Sequence, residues 1–406
     1  MFEEKRWVRI PDALFFQEGP GVRNSQYTTE GVKLLNVANL VDGKIDLSTS
    51  DRYISNIEAY GKYKHFLCDA GDLIVASSGI KVDYIEKKMG FVSENMLPLC
   101  MNTSTIRFKV LDNNFLNIRY FMYFLKSANF KKQLTKLITG SAQLNYGPSH
   151  LEKMSFPICG KLSQNRIVLK LDLVQQIIEK LNNQLLKYDE LIKARFVEMF
   201  GDPKDNPYEW EEVNISEVVG GKVSNGFFAK RDEYTDDGNI SVLGVANIVN
   251  RMYSKIDNLP RTNANDKDIE KFEVKYGDML FCRSSLVAEG IGKASIVPEN
   301  VQEKVLFECH VIRLPLNLNK CVPEYMQLLS TTDYFRTQVI SHSKTATMTT
   351  IGQDGILSTS IILPPIDKQR EFYCFIKQVD KSKLAVQKSL EKTQQLFDSL
   401  MQEYFG

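Results

Sequence analysis

The sequence has few of the features that mark an extracellular, membrane or metal-binding protein. Its seven cysteines form no CxxC pair, so they predict reduced thiols rather than a disulfide framework or a zinc site. No stretch approaches the ~18 apolar residues that a membrane helix requires. The start, MFEEKRWVRI, is charged where a signal peptide needs an apolar run. We therefore expect a cytoplasmic protein with no membrane partner.

An excess of charge of one sign is also absent. The formal net charge is +1, from 51 basic and 50 acidic residues, so composition alone predicts no strongly charged partner. If the protein binds nucleic acid, its basic residues must be concentrated on one face. The composition is otherwise ordinary, with 43% hydrophobic and 25% charged residues, and 406 residues are enough for two or three globular domains.

Signatures of catalysis are missing as well. The Pro-Pro pair in LPPI lacks the preceding Asn or Asp and the following aromatic residue of an amino-methyltransferase loop. EGIGKAS has Val287 and Ala294 where a phosphate-binding P-loop needs Gly and Ser or Thr. Asp72 with residues 86–88 could be imagined as a nuclease triad, but so short a pattern is expected by chance. The four histidines lack metal-ligand spacing, so we predict no catalytic and no metal site.

What the sequence does contain is a repeat. Sliding it against itself by about 205 residues aligns a collinear series of landmarks, with an offset that drifts by a few residues. The paired landmarks are Trp7 and Trp210, Tyr27 and Tyr234, Gly31 and Gly238, Val37-Ala38-Asn39 and Val245-Ala246-Asn247, Gly71-Asp72 and Gly277-Asp278, Ile106-Arg107 and Ile312-Arg313, Tyr120 and Tyr325, Phe130 and Phe335, Gln164 and Gln369, and Phe200-Gly201 and Phe405-Gly406. A series of this extent indicates a tandem duplication.

Each half divides into a mixed region and a helical tail. In the mixed regions, β-rich runs such as DLIVASS, TIRFKVL, MLFCRSS and HVIRLPL alternate with turn residues, and NIRYFMYFLKSANFKKQL is predicted to be helical. In the tails, apolar residues recur every three or four positions, which is the heptad pattern of a helix that packs along a seam. The pattern predicts helices over about 165–200 and about 368–405, with Ser163 and Asp367 as N-caps.

The two tails are predicted to pair with each other, because one pairing satisfies both apolar stripes. The seam residues are Leu171, Val174, Ile178, Leu181 and Leu185 in the first tail and Ile376, Val379, Val386, Leu390 and Phe397 in the second. The alternative is that each tail lies on its own globular region.

Taken together, these features resemble the specificity subunit of Type I restriction-modification systems. The resemblance is carried by the "GD-(hydrophobic)2" segments, LPPIDKQ before the second tail, GSAQLNY before the first tail, and the Phe-Gly tail ends. The departures are ICGKLSQ in place of a proline-rich segment in the first copy, and SKTATMT where the second copy would have a Gly-Ser loop.

The resemblance implies an α+β fold. Two tandem-duplicated α/β target-recognition domains would be separated by two long helices that pair as an antiparallel coiled coil, with pseudo-two-fold symmetry. The implied boundaries are target-recognition domains at 1–158 and 203–363, a central helical region at 159–202, and a C-terminal helical region at 364–406.

The resemblance also implies a non-catalytic, sequence-specific DNA-binding subunit that reads an asymmetric bipartite target, one half-site per domain. Its partners would be double-stranded DNA, two methyltransferase (modification) subunits and, in the full complex, restriction subunits. No cofactor is expected in this chain; S-adenosylmethionine, ATP and Mg²⁺ would be bound by the partners. The alternatives are a DNA-reading module of another defence complex, or a non-DNA scaffold built on the paired helices. Salt-dependent retention on DNA in the presence of the methyltransferase partner would separate a reader from a scaffold.

Six polar loops at matching places in the two halves are predicted to contact DNA. Phosphates are bound by Arg, Lys, Ser and Thr, and base edges by Arg, Asn and Gln. In the first half the candidates are Arg23, Asn24 and Gln26 in the first loop, GPGVRNSQY; Ser77, Ser78 and Lys81 in the second loop, SSGIK; and Ser141, Gln143, Asn145 and Tyr146 in the third loop, GSAQLNY. In the second half the candidates are Lys230 and Arg231 in the first loop, FFAKRDEY; Arg283 and Ser284 in the second loop, CRSS; and Lys344, Thr345 and Thr347 in the third loop, SKTATMT.

Overall fold

A computed structural model describes residues 5–138, 145–345 and 348–406. The chain divides into two compact units: unit 1 comprises Met1–Asn182 and Lys388–Gly406, and unit 2 comprises Asn183–Gln387. Each unit has its own buried hydrophobic core. Within the described ranges, no helix combines the length and the apolar character needed to cross a membrane.

The first copy of the repeat is built from eleven strands and six helices among the described residues. In chain order they are β1 (Arg6–Arg9), α1 (Ile10–Ala13), β2 (Leu14–Glu18), β3 (Val32–Leu35), β4 (Leu40–Val41), β5 (Lys44–Ile45), β6 (Tyr53–Ile54), α2 (Asn56–Tyr60), β7 (Leu73–Ala76), β8 (Met89–Phe91), β9 (Leu99–Met101), β10 (Thr105–Val110), α3 (Ile118–Lys126), α4 (Ala128–Leu137), α5 (Pro148–Leu151), β11 (Ser155–Ile158) and α6 (Lys161–Phe200).

The second copy follows with a similar series. Its elements are β12 (Glu211–Asn214), β13 (Ser224–Asn225), β14 (Ile240–Leu243), β15 (Arg261–Thr262), α7 (Asp266–Phe272), β16 (Asp278–Cys282), β17 (Ser284–Ser285), β18 (Ala294–Ile296), β19 (Val305–Phe307), β20 (Val311–Pro315), α8 (Pro323–Leu329), α9 (Asp333–Ser341), β21 (Lys344–Thr345), β22 (Thr349–Thr350), α10 (Gln353–Leu357), β23 (Ser360–Leu363) and α11 (Ile366–Phe405).

The two copies share their sheet topology. An antiparallel sheet has the order β2-β10-β7-β8 in unit 1 and β13-β20-β16-β18 in unit 2. A second sheet in each unit contains one parallel pair, β3 with β9 and β14 with β19. The first strand of each copy pairs with the last strand before the long helix, β1 with β11 and β12 with β23. The predicted α+β fold and its tandem duplication are therefore confirmed.

The repeated Val-Ala-Asn tripeptide forms a single turn of 3₁₀ helix in both units, directly after the parallel strand β3 or β14. In unit 1 the Oδ1 atom of Asn39 accepts the amide proton of Asn36 (2.9 Å). In unit 2 Asn247 accepts that of Gly244 at 3.0 Å. The asparagine recurs because its side chain closes this turn.

A buried glutamine fastens the start of each long helix to the loop before α3 or α8. Gln164 donates to two main-chain carbonyls and accepts one main-chain amide proton, at 2.8–2.9 Å. Gln369 makes the same three bonds at 2.7–3.2 Å. The partners are Phe115, Cys159 and Asn117 for Gln164, and Lys320, Pro364 and Val322 for Gln369. Both glutamines are fully buried, so water cannot replace any of these hydrogen bonds if it is lost.

A buried tyrosine provides a second fixed point in each unit. The hydroxyl of Tyr120 donates to the carbonyl of Pro157 (3.0 Å), and that of Tyr325 donates to the carbonyl of Ile362 (2.7 Å). Because the two tyrosines are landmarks of the repeat, Pro157 and Ile362 occupy equivalent positions.

The two tryptophans are not equivalent, although the sequence aligns them. Trp7 pairs with Pro157 across the β1–β11 ladder, and Glu212 pairs with Ile362 across the β12–β23 ladder. The counterpart of Trp7 is therefore Glu212, two residues beyond Trp210. Trp7 is 55% exposed, so its position is not fixed by packing in a core.

Each long helix has 40 residues, with no Gly or Pro, and is about 60 Å long at 1.5 Å per residue. Both begin a few residues before the predicted starts, so Ser163 and Asp367 lie within the first turn rather than at the N-cap. Gly201 ends α6 with φ of +77°, and a Cβ there would lie 2.4 Å from Pro207 Cγ. Only glycine fits that position, which explains the Phe-Gly end of α6.

The helices run antiparallel, as predicted. In unit 1 the first part of α6 shares a core with the end of α11, where Phe405 packs on Tyr120 at 4.9 Å between ring centroids. In unit 2 the end of α6 shares a core with the first part of α11, where Phe200 packs on Tyr325 at 4.8 Å. The terminal phenylalanine of each helix is thus a core residue.

The ten predicted seam residues differ in burial. Six are buried: Leu171, Val174, Ile178, Ile376, Val379 and Val386. Four are half-buried: Leu181, Leu185, Leu390 and Phe397. A polar interruption of the second stripe, Lys383, donates to Asp189 of α6 at 2.6 Å. Burial falls toward the middle of each helix and rises again near both ends, because residues far from the globular parts have only a helix to cover them.

Candidate nucleic-acid interface

The second and third predicted loops of each copy meet at one antiparallel bridge. In unit 1 Ser78 bridges to Asn145. In unit 2 Ser284 pairs with Thr350, within the β17–β22 ladder. The two bridges occupy the same place in the repeat, so each unit assembles one surface from loops that are about 65 residues apart in sequence.

In unit 2 this bridge belongs to a three-stranded sheet of order β17-β22-β21. Lys344 and Thr345 of β21 pair with the same β22 strand that pairs with Ser284. Arg283 directly precedes β17, and its amide is held by the carbonyl of His310 (2.9 Å). The sheet therefore brings Arg283 and Ser284 into one surface with Lys344 and Thr345.

The first loop of each copy has the same local structure around a basic residue. The main-chain amide of Arg23 donates to the side chain of Gln26 (3.0 Å), and that of Lys230 donates to the side chain of Glu233 (2.7 Å). Each bond caps a single 3₁₀ turn. The capped turn fixes the main chain, and the side chains of Arg23 and Lys230 are exposed to solvent.

The base of the first loop lies beside the other two loops. In unit 1 Glu18, the last residue of β2, accepts a hydrogen bond from Ser77 Oγ (3.4 Å). In unit 2 Asn225, the last residue of β13, accepts one from Gln353 (3.3 Å), just after the third loop. All three predicted loops of each copy therefore start from one edge of their unit.

Three predicted contact residues turn their polar groups inward, which corrects the expectation that they face DNA. Ser77 is fully buried, and Tyr146 is 2% exposed, with a pKa raised by that burial. Gln26 is half-buried and donates its side-chain amide to Glu58 (2.7 Å) and Tyr63 (3.1 Å). The sequence pattern showed polar residues in loops but not which side of the loop they occupy.

The other predicted contact residues fall into three groups. Ser141, Gln143 and Thr347 lie outside the described residues. Ser78, Arg283 and Ser284 are half-buried, and the exposed candidates are Arg23, Asn24, Lys81, Asn145, Lys230, Arg231, Lys344 and Thr345.

A basic cavity in unit 1 adds residues that the sequence reasoning missed. It has a volume of about 370 Å³ and is lined by Lys81, Tyr84, Lys87 and Lys88, with Asp42 as the acidic member. Tyr84 is 51% exposed. The stretch KVDYIEKK could have drawn attention to it, because cations interleaved with an aromatic residue are typical of nucleic-acid contacts.

The repeated Gly-Asp and Ile-Arg landmarks place an aspartate beside an arginine inside each unit. Asp72 is 3% exposed, accepts the amide proton of Asp69 (2.8 Å) and lies 3.5 Å from Arg107. Asp278 is buried in the same way near Arg313, and its burial raises its pKa to about 6. Among the residues that the structure describes, no three His, Cys, Asp or Glu side chains are placed to hold a metal ion.

The sequence matches one known family in both halves. The model of the Type I restriction modification DNA specificity domain matches residues 28–187 and again residues 207–396. The chain is 23% identical over 354 residues to the StySPI specificity subunit of Salmonella potsdam, covering 82% of this chain and 74% of that protein. It is 24% identical over 185 residues to the MjaVIII specificity subunit of Methanocaldococcus jannaschii, covering 44% and 41% of the two chains. Both relatives are subunits of Type I restriction enzymes.

Two solved structures have a similar fold over nearly the whole chain. The S subunit of a Type I restriction-modification system from M. genitalium superposes with a TM-score of 0.54 at 14% identity, covering 100% of this chain and 96% of that one. A chain from a structure concerned with complex assembly and conformational transition of the Type I R-M system gives 0.57 at 16% identity, with 98% and 97% covered. At such low identity these similarities show the fold alone.

Proposed function

This chain belongs to the family of Type I restriction modification DNA specificity domains, and from that premise we propose that its two units read the two halves of an asymmetric bipartite DNA target. It is the DNA-recognition component of a Type I restriction-modification system. Each unit would bind one half-site through the edge at which its three loops start.

The observation that carries the proposal is the pair of matching bridges with different surroundings. Ser78–Asn145 in unit 1 and Ser284–Thr350 in unit 2 place the loops in the same way. The exposed side chains around the two bridges nevertheless differ, with Lys81 in unit 1 and Lys344 and Thr345 in unit 2. Equivalent frames with different polar groups favour two different half-sites, because base edges are distinguished by their pattern of donors and acceptors.

The exposed candidates divide by chemistry. Lys81, Lys230 and Lys344 are suited to phosphate contacts, because a lysine ammonium is a compact charge on a flexible side chain and can approach a phosphate from many directions. Asn145 can donate to and accept from an adenine edge, and Arg231 can donate to a guanine edge, so these two are proposed as base contacts. The near-neutral net charge requires the cations to be gathered at these edges.

We propose that methylation and ATP-dependent cleavage take place in partner subunits. Two methyltransferase subunits would dock on the helix pair, and restriction subunits would join them. S-adenosylmethionine, ATP and Mg²⁺ would be bound by those partners and not by this chain.

An exposed aliphatic stripe on α6 supports this docking. Leu162, Leu169, Leu173 and Ile177 recur at helical spacing and are 40–75% exposed. Contiguous exposed apolar residues of this kind mark protein interfaces. Replacing Leu169 and Leu173 with Asp is expected to abolish co-purification with the methyltransferase subunit and to leave the free energy of unfolding nearly unchanged. Undiminished co-purification would exclude the stripe as the docking surface.

Methylation-sensitive sequencing tests the proposed function directly. Genomic DNA is compared from cells that carry the methyltransferase subunit with and without this chain. The expected result is a methylated motif that appears only with the chain and consists of two different half-sites separated by a fixed gap of unspecified bases. A palindromic motif, or a motif that is present without the chain, would contradict the proposal.

A further inference from the structure

Unit 2 presents three aliphatic side chains at the edge where its loops meet. Leu286 is 82% exposed and Val287 is 58% exposed, directly after β17. In the β17–β22 ladder Ser285 pairs with Thr349, so Met348, which is 38% exposed, lies beside Leu286 at the same end of the ladder. We call Leu286, Val287 and Met348 the apolar tip.

The segment that carries Leu286 and Val287 of the apolar tip is held in place by its neighbours. The amide of Val287 donates to Ser285 Oγ (3.3 Å). Arg336 of α9 donates through Nη2 to the carbonyl of Glu289 (3.0 Å), and Ile291 is fully buried just beyond. The exposed side chains of Leu286 and Val287 therefore extend from a fixed main chain.

The corresponding segment of unit 1 has a different surface. Ser78 is the counterpart of Ser284, and the exposed side chains that follow it, up to residue 84, are Lys81, Asp83 and Tyr84. None of the three is aliphatic. The fold therefore does not require an apolar tip at this point, and its presence in unit 2 calls for a partner.

The partner favoured by the surroundings is a base edge of DNA. Arg283 precedes β17 and Lys344 lies in the same small sheet, so cations able to bind phosphates flank the tip. The C5-methyl group of thymine is the apolar feature that base pairs present in the major groove. A partner protein surface would not need these flanking cations.

We propose that Leu286, with Val287 and Met348 beside it, contacts the C5-methyl group of a thymine in the half-site read by unit 2 and so selects thymine at one position. The inference rests on the proposed function of unit 2 as a DNA reader and adds a specificity-determining contact to it. Burying the methyl group against the tip removes apolar surface of both from water.

Uracil substitution tests the contact, because deoxyuridine differs from thymidine only by the methyl group. The complex of this chain with its methyltransferase subunits is titrated against fluorescent duplexes carrying the target, with each thymidine of the half-site read by unit 2 replaced in turn. One replacement is expected to weaken binding about 4-fold, corresponding to about 0.8 kcal/mol for one buried carbon. In the Leu286→Ala complex the same replacement should change affinity less than about 2-fold, since the contact is already lost.

Matched variants separate this contact from other effects. Leu111→Ala removes a leucine of unit 1 that is 59% exposed, and its complex should keep the full response to uracil. Lys81→Ala should weaken binding without altering that response, because Lys81 belongs to the other unit.

Four results would overturn the inference. They are a half-site without thymine, no response to uracil at any position, an undiminished response in the Leu286→Ala complex, and equal weakening by Leu286→Ala on thymine and uracil duplexes. The last result would indicate that Leu286 inserts between bases or contacts a partner protein instead of a thymine methyl group. If the complex does not distinguish its target from a scrambled duplex, the proposed function fails and this inference fails with it.

Discussion

In unit 1 the segment after the Ser78 bridge carries lysines and a tyrosine around a basic cavity, whereas in unit 2 the segment after the Ser284 bridge carries the apolar tip. Beneath these surfaces the units are built alike. Gln164 and Gln369 make the same three hydrogen bonds, and each unit contains a buried tyrosine against the last phenylalanine of a long helix.

The comparison teaches that the buried polar anchors Gln164 and Gln369 kept their residue type in both copies, whereas the exposed side chains after the bridges changed in chemical class. A buried glutamine that closes three bonds cannot change without leaving polar groups unpaired. An exposed lysine can become a leucine at little cost in stability. A duplicated frame of this kind can hold two different sets of DNA contacts without altering its fold.

The largest effect is expected where α6 joins the core of unit 1. Leu171→Asp places a charge in a fully buried site and should lower the free energy of unfolding by at least about 4 kcal/mol. Leu181→Asp, at a half-buried seam position, should cost about half as much. Urea denaturation followed by circular dichroism measures both.

Leu162→Asp provides the exposed control on the same helix and should stay within about 0.5 kcal/mol. Equal losses at positions 171 and 181 would show that the cost of the charge does not follow the burial of the site. Unchanged stability in both would disprove the helix pairing.

The two buried glutamines allow the stability of the two units to be compared at equivalent positions. Gln164→Ala and Gln369→Ala each leave two carbonyls and one amide without their partner, so each should lose about 2–4 kcal/mol. The exposed Gln176→Ala and Gln387→Ala are the controls, and thermal or urea unfolding is the measurement. A loss of stability for only one of the two variants would show that the glutamines do not have the same role in the two copies.

The repeated asparagines should differ in their contribution. Asn39 is fully buried and also donates to the carbonyl of Asp46 (3.0 Å), whereas Asn247 is half-buried. Asn39→Ala should therefore cost about 2 kcal/mol and Asn247→Ala about 1 kcal/mol, the usual worth of a lost turn-closing bond. Equal losses in urea unfolding would mean that closing the turn, rather than burial, sets the cost.

The pH dependence of unit 2 gives a further prediction. The pKa of Asp278 is raised by burial from 3.8 to about 6, so between these values the folded state holds a proton that the unfolded state has lost. Raising the pH from about 4 to about 6 therefore lowers stability through this group. Asp278→Asn should lose less stability over that interval than the unaltered protein, while the exposed Asp236→Asn should behave like the unaltered protein. An identical pH response of Asp278→Asn and the unaltered protein in urea unfolding would contradict the raised pKa.

The parts of the molecule that could be predicted from sequence are those in which the same buried residue recurs at equivalent positions of the two copies. Gln164 and Gln369 stood out because the same side chain recurs at the same spacing. Aligning Trp7 with Trp210 was wrong by two residues. Trp7 is exposed, so core packing does not require a tryptophan at the equivalent position of the second copy. The heptad stripe predicted the helix pair because a single helix cannot bury such a stripe alone.

The candidate interface was harder to predict because its geometry is non-local. Nothing near Ser284 indicates that its partner is Thr350. Ser77 and Tyr146 belong to polar loops, and only the fold reveals that they face inward. Leu286 was missed for the opposite reason, because an aliphatic residue in a sequence is more often a core residue than an exposed one.

Exchange of one reading domain tests the central claim most directly. Residues 1–158, which end with β11, are replaced by the matching domain of a specificity subunit that methylates a different motif. The hybrid is expressed with its methyltransferase subunit, and the methylated motif is determined by sequencing. One half-site is expected to change to that of the donor, while the half-site read by unit 2, including any thymine selected by Leu286, should stay the same. A hybrid that is active but alters both half-sites would contradict the claim that each unit reads its own DNA segment.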